Sequence, residues 1–470
     1  MKMHKRILAF AMVSLMLILT ITACGSNQTP NAANPAPSSQ GGEPSSETPP
    51  ASASDKTLRI FAWNEEFQSR FNDYFIKPGK LPADIQVEWV ITPNENNAYQ
   101  NKLDAELRNQ DSSDNKIDIF LIEADYAAKY VDTDYSLDVK ADVGLTDADL
   151  KDQYKYTQEI VTNTSGKLKG VTWQATPGLF AYRRSIAKDV LGTDDPAEVQ
   201  KYLSDWDKFN EIAVKMNAKG YRMLSGYDDS YRTFANNISA PWVDANDVIR
   251  VDENMFRWVD QTKDYTDKGY NNKTALWAPE WGADQGPEGK VFGFFYSTWG
   301  INFTLLGNSL AVPLAEGGKA EVGNGIYGDY AVCEGPESYY WGGTWICAAK
   351  GSDNIDLVRE VMLTLTSDAA TMKQITLDTE DYTNNQAAMT EIANSDYQSA
   401  FLGGQNHIKM FAAAAPNIDM SNISKYDQGM TEEFQKSFKD YFDGNVSREE
   451  ALENFYTAVI EKYPNLKKPA

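Results

Sequence analysis

Alternating apolar runs and helical patterns over residues 57–131 constrain the fold of this chain more than any other feature. Strand-like runs occupy residues 57–63, 85–91 and 117–122, and a segment with helical spacing of apolar residues follows each of them. This order predicts an α/β fold with a mostly parallel sheet and right-handed crossovers. Because ligands of such sheets bind beyond the carboxyl ends of the strands, residues 63–65 and 123–126 are expected on one rim.

The body of the chain, residues 55–470, is long enough for two domains with sizeable cores. Beyond residue 170, the pattern predicts a strand at residues 291–296 and helices at residues 205–218, 252–266, 355–365 and 447–463. Ser447 is the expected N-cap of the last helix, with Glu450 as its capping-box partner. Aromatic side chains make up 12% of the chain and many fall in predicted loops, which favours a ligand that stacks on rings.

Residues 339–345 place four large aromatic rings around a pair of glycines, Gly342 and Gly343, ahead of a strand-like run. Adjacent glycines let the backbone turn sharply and leave open space above it. Rings beside such a space can present a flat face to a ligand, but the same residues also fit a turn packed in the core. Cys333 and Cys347 flank this stretch, either as a disulfide or as two buried thiols. The sequence leaves both questions open.

The N-terminus has the pattern of an export signal. A basic region precedes an apolar run at residues 7–19, and small residues stand before Cys24. This predicts a lipoprotein signal peptide at residues 1–23, with lipidation of Cys24 and anchoring at the extracellular face of the bacterial cell membrane. An uncleaved membrane anchor with a chance cysteine is the alternative. Residues 24–54 contain no aliphatic side chain larger than Ala, which predicts a disordered tether.

Composition and motifs argue against several functions. With 67 acidic against 44 basic residues, the net charge of −23 disfavours binding to nucleic acid or an anionic lipid surface. The G-x-G-x-x-G spacing at residues 323–328 precedes a strand-like run where a dinucleotide site needs a helix. The acidic residues at positions 132–138 lack the glycine and glutamate of a calcium loop. There is no G-x-S-x-G, and His407 is the single histidine beyond the signal, so we predict no catalytic triad, cofactor or metal site.

Five segments in sequence resemble the extracellular solute-binding lipoproteins (family 1) of bacterial carbohydrate ABC transporters, in the oligosaccharide-binding branch. They are TLRIFAWNEEF, KGVTWQATPGLFAYRRSIAKDVLG, GKVFGFFYSTW, WGGTWICAAKGSDNIDLVREVMLTLTSD and GNVSREEALENF. The resemblance covers nearly the whole chain and implies a two-lobed, periplasmic-binding-protein-like α/β fold (type II), with a ligand cleft where strands cross between the lobes. It places lobe 1 at residues 55–170 and 340–400 and lobe 2 at residues 171–339 and 401–470. The chain would cross near residues 173–182, 339–345 and 401–410.

A sugar ring offers an apolar face to Trp and Tyr rings and a belt of hydroxyls to polar side chains. The expected aromatic platforms are Trp63, Trp281, Trp299, Tyr340 and Trp341, and the expected hydroxyl partners are Asn64, Glu65, Asp125 and Asp228. For each tryptophan, packing in the core is the alternative interpretation. For Glu65 and Asp228 the alternative is a solvated surface carboxylate.

The resemblance implies a monomeric receptor, not an enzyme, that captures an oligosaccharide and delivers it to permease and ATPase subunits on separate chains. A binding protein for a peptide or another polar solute is the first alternative. A two-carboxylate glycoside hydrolase is the second, since carboxylates are plentiful, although no acid and nucleophile pair stands out. The chain has no internal repeat, which disfavours a scaffold lipoprotein.

Overall fold

Two β-sheets organise residues 56–469, the part of the chain that this computed structural model describes. The predicted signal peptide, tether and lipidated Cys24 lie outside the described residues. The strands, in chain order, are β1 Thr57–Ala62, β2 Gln86–Ile91, β3 Ile119–Glu123, β4 Val171–Thr172, β5 Gly178–Arg183, β6 Gly293–Ser297, β7 Tyr330–Cys333 and β8 Thr344–Ala348. The first sheet has the order β2-β1-β3-β8-β4 and the second the order β6-β5-β7.

The helices cover the sheets in three runs of sequence. Before the first crossing lie α1 Glu66–Phe71, α2 Ala98–Asn109, α3 Ala127–Val131, α4 Asp147–Leu150 and α5 Lys155–Glu159. Between the crossings lie α6 Arg184–Leu191, α7 Pro196–Leu203, α8 Trp206–Ala218, α9 Tyr231–Ala235, α10 Glu253–Lys268, α11 Pro279–Asp284, α12 Thr298–Gly300 and α13 Leu306–Ser309. After β8 come α14 Ile355–Thr366, α15 Ala369–Thr379, α16 Gln386–Ala393, α17 His407–Ala414, α18 Asp427–Phe442 and α19 Arg448–Lys462.

Short helical turns of other types join these elements. Two π-helical turns extend α1 and link α12 to α13; they are Asn72–Ile76 and Ile301–Leu305. The 3₁₀ turns are Glu95–Asn97, Gln110–Ser112, Ala124–Tyr126, Leu314–Glu316 and Ala415–Asn417. None of the described helices is long and apolar enough to cross a membrane.

Side-chain caps explain why three of the predicted helices begin where they do. Asp205 accepts a hydrogen bond from the backbone N–H of Lys208 at the start of α8, and Asp252 accepts one from Asn254 at the start of α10. Ser447 caps α19 in the same way, accepting from the backbone N–H of Glu450 at 3.1 Å. The sequence pattern therefore located these helix starts correctly.

The prediction of a mostly parallel sheet is correct only for β2, β1 and β3, which pair in parallel. β8 pairs antiparallel with both β3 and β4, and the second sheet is antiparallel throughout. Glu123 at the end of β3 lies opposite Thr344 at the start of β8. A strand that enters from the other sheet starts where β3 ends and must run against it, and no periodicity in the sequence reveals that direction.

The chain passes between the sheets through residues 173–177 and 334–343. These segments lie side by side, because the backbone N–H of Trp341 donates to the carbonyl of Thr176 at 3.1 Å. The Thr176 hydroxyl in turn donates to the carbonyl of Gly342 at 2.8 Å. Phe401 packs on Tyr330 of β7, so the chain is beside the second sheet again by residue 401. The predicted lobe boundaries (residues 55–170 and 340–400 against residues 171–339 and 401–470) stay predictions.

Cys333 and Cys347 are both free and buried. Cys333 ends β7 of the second sheet, whereas Cys347 lies within β8 of the first sheet. Of the two interpretations that the sequence left open, the structure has the pair of buried thiols.

Candidate ligand-binding site

Two neighbouring cavities lie where the carboxyl ends of β1 and β3 meet residues of the second sheet and its helices. The larger has a volume of about 780 Å³ and the smaller about 360 Å³. The larger falls within the range of roughly 300–1,000 Å³ typical of small-molecule sites. Four residues line both cavities: Trp63, Glu123, Asp125 and Arg232. We call the larger cavity the aromatic compartment and the smaller one the polar compartment.

Three tryptophans form one wall of the aromatic compartment. The rings of Trp299 and Trp341 meet edge to face, with centroids 5.3 Å apart. Trp277 stacks on Trp299 at 6.1 Å and an interplanar angle of 21°, and it is 52% exposed. Phe303, at the mouth of the compartment, is 74% exposed and contacts the Trp299 ring. Large rings left this exposed beside a cavity provide apolar faces for a ligand.

The glycine pair sets the position of this wall. Gly342 has φ of +74°, and a Cβ there would lie 3.0 Å from Nε1 of Trp299. Gly343 has φ of +112°, and a Cβ there would lie 3.0 Å from the ring of Trp345. The close approach lets Nε1 of Trp299 donate to the carbonyl of Trp341 at 2.8 Å. Only glycine combines this left-handed backbone with this separation.

A network of carboxylates and one amide forms another part of the lining. The Gln174 side-chain nitrogen donates to Glu66 at 2.9 Å and to Asp381 at 3.0 Å. Its carbonyl oxygen accepts from the backbone N–H of Thr344 at 3.1 Å, so the amide orientation is fixed. Burial, together with the charge of Asp381, raises the pKa of Glu66 to about 7. The network therefore offers hydrogen-bond acceptors, and a partly protonated carboxyl, to a bound molecule.

Asp125 and Arg232 form a two-pronged ion pair between the two compartments. Arg232 Nη1 donates to Asp125 Oδ1 at 2.8 Å, and Nη2 donates to Oδ2 at 2.6 Å. Asp125 follows β3 of the first sheet, whereas Arg232 belongs to α9, so the pair spans the cleft. Although burial alone would raise the pKa of Asp125, the charge and hydrogen bonds of Arg232 lower it below its ordinary value. Arg232 also lies 5.4 Å over the Trp341 ring.

Glu123 lies beside this pair at the end of β3. Its Oε2 accepts a hydrogen bond from the backbone N–H of Asp125 at 2.7 Å. Burial, and then the charge of Asp125, raise the pKa of Glu123 to about 8. Near neutral pH this side chain is therefore largely protonated and able to donate a hydrogen bond as well as accept one.

The polar compartment has a different character. Tyr340, which is 3% exposed, lies in its wall. Asp427 lies there too, and its burial, with a further contribution from the charge of Asp125, raises its pKa to about 7. Six other side chains at this wall carry amides or a hydroxyl: Asn94, Asn97, Asn236, Gln428, Thr431 and Gln435. Such groups both donate and accept hydrogen bonds. Among the described residues, no group of three or more His, Cys, Asp or Glu side chains is placed to hold a metal ion.

The structure brings most of the site residues predicted from sequence to this cleft. Six of them line the aromatic compartment: Trp63, Asn64, Glu65, Asp125, Trp299 and Trp341. Tyr340 lines the polar compartment. Asp228 lies in a separate cavity of about 60 Å³ that Arg232 and Trp341 also line, and it accepts a hydrogen bond from Gln435 at 3.1 Å. Their roles in binding stay predictions.

Trp281 is placed in the core instead. It is 3% exposed, its ring packs on Phe294 and Tyr296, and it lines none of the three cavities just described. Its Nε1 donates to Asp229 at 2.9 Å, so its polar atom has a partner inside the protein. Trp281 contacts Trp277 edge-on at 5.3 Å, which supports the exposed ring from behind.

Several residues at the cleft were missed by the sequence analysis. Trp277 has a left-handed backbone, with φ of 67°, which turns its ring outward next to a core tryptophan. Arg232 lies on a helix of five residues, too short for a clear pattern. The hydrogen-bond network of Glu66, Gln174 and Asp381 was missed as well, because these residues come together only in the fold. The aromatic spacing of Trp299 and Phe303, four residues apart, was the one available signal for the mouth of the compartment.

Comparison with known sequence families shows which family the chain belongs to. The sequence profile of the family described as bacterial extracellular solute-binding protein matches residues 79–422, more than half of the chain. The chain therefore belongs to this family of bacterial extracellular solute-binding proteins. A comparison with curated protein sequences gives no match.

Solved structures share the fold at low sequence identity. A family 1 extracellular solute-binding protein has a TM-score of 0.69 and 16% identity, over 86% of this chain and 99% of that chain. The ABC-transporter-associated binding protein of B. animalis subsp. lactis, in complex with β-1,6-galactobiose, has a TM-score of 0.64 and 16% identity, over 88% and 100%. The GacH receptor of Streptomyces glaucescens, solved unliganded and with acarbose, has a TM-score of 0.62 and 15% identity, over 87% and 99%. The predicted two-lobed, periplasmic-binding-protein-like α/β fold is confirmed.

Proposed function

We propose that this solute-binding protein is the substrate-binding component of an ABC importer and that its solute is an oligosaccharide. The observation that carries the proposal is the aromatic compartment, in which three tryptophan rings and a network of carboxylates and an amide line one cavity. An apolar solute would not need the acceptor wall. A peptide would not call for three adjacent ring faces, whereas a sugar uses both features.

The chemistry of the two walls matches the two faces of a sugar. The C–H face of a pyranose ring packs on Trp299 or on Trp277, which is 52% exposed beside the same cavity. Trp341, which is 8% exposed, supports the Trp299 ring edge to face. The equatorial hydroxyls reach Glu66 and Asp381, whose shared amide partner, Gln174, holds them in place. Hydroxyl hydrogens then donate to carboxylate oxygens in the charge-assisted geometry that gives strong hydrogen bonds.

Capture requires that the sugar binds the closed cleft better than the open one, since a ligand with equal affinity for both shifts nothing. Trp341 and Trp299 come from the side of the second sheet, whereas Trp63 and Glu66 follow β1 of the first sheet. A sugar held between them contacts both sides at once. That simultaneous contact exists only when the two sides are close, which supplies the differential affinity.

The partners follow from this role. Bound sugar passes to permease and ATPase subunits on separate chains, and Cys24 carries the lipid that holds the receptor at the extracellular face of the membrane. The receptor acts as a monomer. Two of the structural relatives support the sugar assignment, since they were solved with β-1,6-galactobiose and with acarbose.

Two carboxyl groups of raised pKa, on Glu66 and Glu123, keep a glycoside hydrolase as the second candidate. A protonated carboxyl in a cleft is the form that a general acid takes in such enzymes. In the receptor, the same groups act only as hydrogen-bond partners. The two functions differ in the fate of the sugar.

Calorimetry of the full chain, kept in a detergent without a sugar headgroup, against a panel of plant and host-glycan oligosaccharides tests the proposal. Each sugar is chromatographed after the titration. We expect micromolar or tighter binding of at least one class, with the sugar recovered intact. Cleaved sugar would show that the protein is a glycoside hydrolase. Absence of binding to every sugar of the panel, together with binding of peptides, would contradict the proposal.

A further inference from the structure

The Asp125–Arg232 pair lies where the aromatic compartment meets the polar compartment, and both side chains line both spaces. We propose that this pair is a length stop, which ends the sugar site at the boundary of the aromatic compartment and limits how many sugar units add to affinity. The inference rests on the proposed function, because it concerns the same cleft and the same class of ligand. It adds a specificity-determining role that the aromatic residues do not supply.

Contacts on several sides hold the pair in place. Both Nη atoms of the guanidinium donate to Asp125, at 2.8 and 2.6 Å, and the guanidinium carbon lies 5.4 Å over the centroid of the Trp341 ring. The backbone of Asp125 is fixed in turn by Glu123, whose carboxyl accepts from its N–H at 2.7 Å. A sugar that pushed between the two charges would have to leave each of them without its partner in a half-buried cleft. Extension of the ligand past this point is therefore unfavourable.

The space beyond the pair would otherwise suit a sugar. The polar compartment has about 360 Å³ of room, and amides and hydroxyls such as those of Asn97, Gln428 and Thr431 line it. Trp63 continues from one compartment into the other and could carry a ring across the boundary. Because the chemistry on the far side is suitable, the ion pair is the feature that stops the ligand there.

Two double variants separate the size of the pair from its charge. Asp125→Ala with Arg232→Ala removes both charges and joins the compartments. Asp125→Asn with Arg232→Gln removes the charges but keeps part of the bulk and a neutral hydrogen-bonding group at each position. Removing both partners together avoids a lone buried charge. The matched control is Lys140→Ala with Asp147→Ala, an exposed ion pair of 2.6 Å whose residues line neither compartment.

The readout is the affinity of the full chain for a series from disaccharide to hexasaccharide, built on whichever sugar class the wild-type protein binds. For the wild type, affinity should rise with the first units and then stay flat. For the double alanine variant, the affinity ratio of hexasaccharide to disaccharide should increase by at least about tenfold, which corresponds to new contacts in the joined space. The asparagine–glutamine variant should show a smaller increase, and the control should match the wild type.

Three results would overturn the inference. Wild-type affinity that climbs steadily to the hexasaccharide would show that no stop exists, and this arm needs no variant to fold. A folded double alanine or asparagine–glutamine variant that still binds the disaccharide but keeps the wild-type length profile would assign the stop elsewhere. A wild-type protein that binds no oligosaccharide of any length contradicts the proposed function itself, and the inference fails with it; the first two results leave the proposed function intact.

Discussion

The aromatic and polar compartments share four lining residues, yet they are built from different parts of the chain. The aromatic compartment takes its wall from the glycine-containing crossing segment and from the turns around Trp277 and Trp299. The polar compartment takes much of its wall from α18, including Gln428, Thr431 and Gln435. Ring faces supply affinity through area removed from water, whereas exposed amides mostly exchange one hydrogen-bond partner for another. Affinity should therefore reside in the aromatic compartment.

The largest effect is expected from Trp341→Ala. Loss of the ring removes the edge-to-face support of Trp299 and the ring under Arg232, so sugar affinity should fall by about 1–3 kcal/mol, while Trp341→Phe should retain part of it. Calorimetry with the tightest-binding sugar measures the loss. Trp206→Phe is the matched control, since Trp206 stacks on Phe234 in the core and lines neither compartment. Equal affinity in Trp341→Ala and wild type would remove this residue from the site.

Gly342→Ala tests whether the backbone sets the aromatic wall. The added methyl would meet Nε1 of Trp299 at 3.0 Å on a backbone with φ of +74°. We expect a loss of stability of about 1–2 kcal/mol, with a loss of sugar affinity as Trp299 shifts. Gly192→Ala has φ of +80° with nothing within 4 Å, so it reports the backbone strain alone. A variant pair that differs in neither stability nor affinity would contradict the steric argument.

Glu66→Gln should change the pH dependence of stability. Burial and the charge of Asp381 raise the pKa of Glu66 from its ordinary 4.5 to about 7, so between these values the folded protein holds a proton that the unfolded chain has lost. The contribution of this group to stability therefore falls as pH rises through that window. The free energy of unfolding of the variant should exceed that of the wild type by on the order of 1 kcal/mol above pH 7, and the two should be equal at pH 4. Urea unfolding at both pH values measures the difference, and a constant offset would refute the raised pKa.

The smallest effect is expected from Gln428→Ala in the polar compartment. Its side-chain nitrogen donates to Glu432 at 3.0 Å on an exposed helix face, and the proposed length stop keeps short sugars away from it. Disaccharide affinity should change by less than about 0.5 kcal/mol. A larger loss of affinity, measured by the same calorimetry, would mean that the disaccharide already occupies the polar compartment. Affinity would then not reside in the aromatic compartment alone.

The rim at the ends of β1 and β3 was predictable because strand order alone brings the carboxyl ends of parallel neighbours together. Trp63, Asn64, Glu65 and Asp125 followed from that rule. The rings of residues 339–345 did not follow from that rule. All four are largely buried, but Tyr340 and Trp341 line the two compartments, whereas Tyr339 and Trp345 line neither and donate to backbone carbonyls. Which of these rings reaches a cavity depends on what packs on the crossing segment from both sheets, and the sequence does not encode that locally.

The second half of the site was harder to predict for a related reason. Trp277 and Trp281 lie four residues apart in one short segment, yet one is 52% exposed and the other 3%. The difference comes from a left-handed residue and from a hydrogen bond to Asp229, neither of which has a sequence pattern. Arg232 and Asp381 are far from their cleft partners in sequence, so ordinary charged residues acquire a role only through the fold.

The proposed sugar site can be tested directly by a crystal structure of the protein with the tightest-binding oligosaccharide of the panel. We expect a sugar ring packed on Trp299 or Trp277, hydroxyls within hydrogen-bond distance of Glu66 or Asp381, and an intact Asp125–Arg232 pair at the end of the ligand. A sugar bound in the polar compartment alone, or outside the cleft between the two sheets, would contradict it.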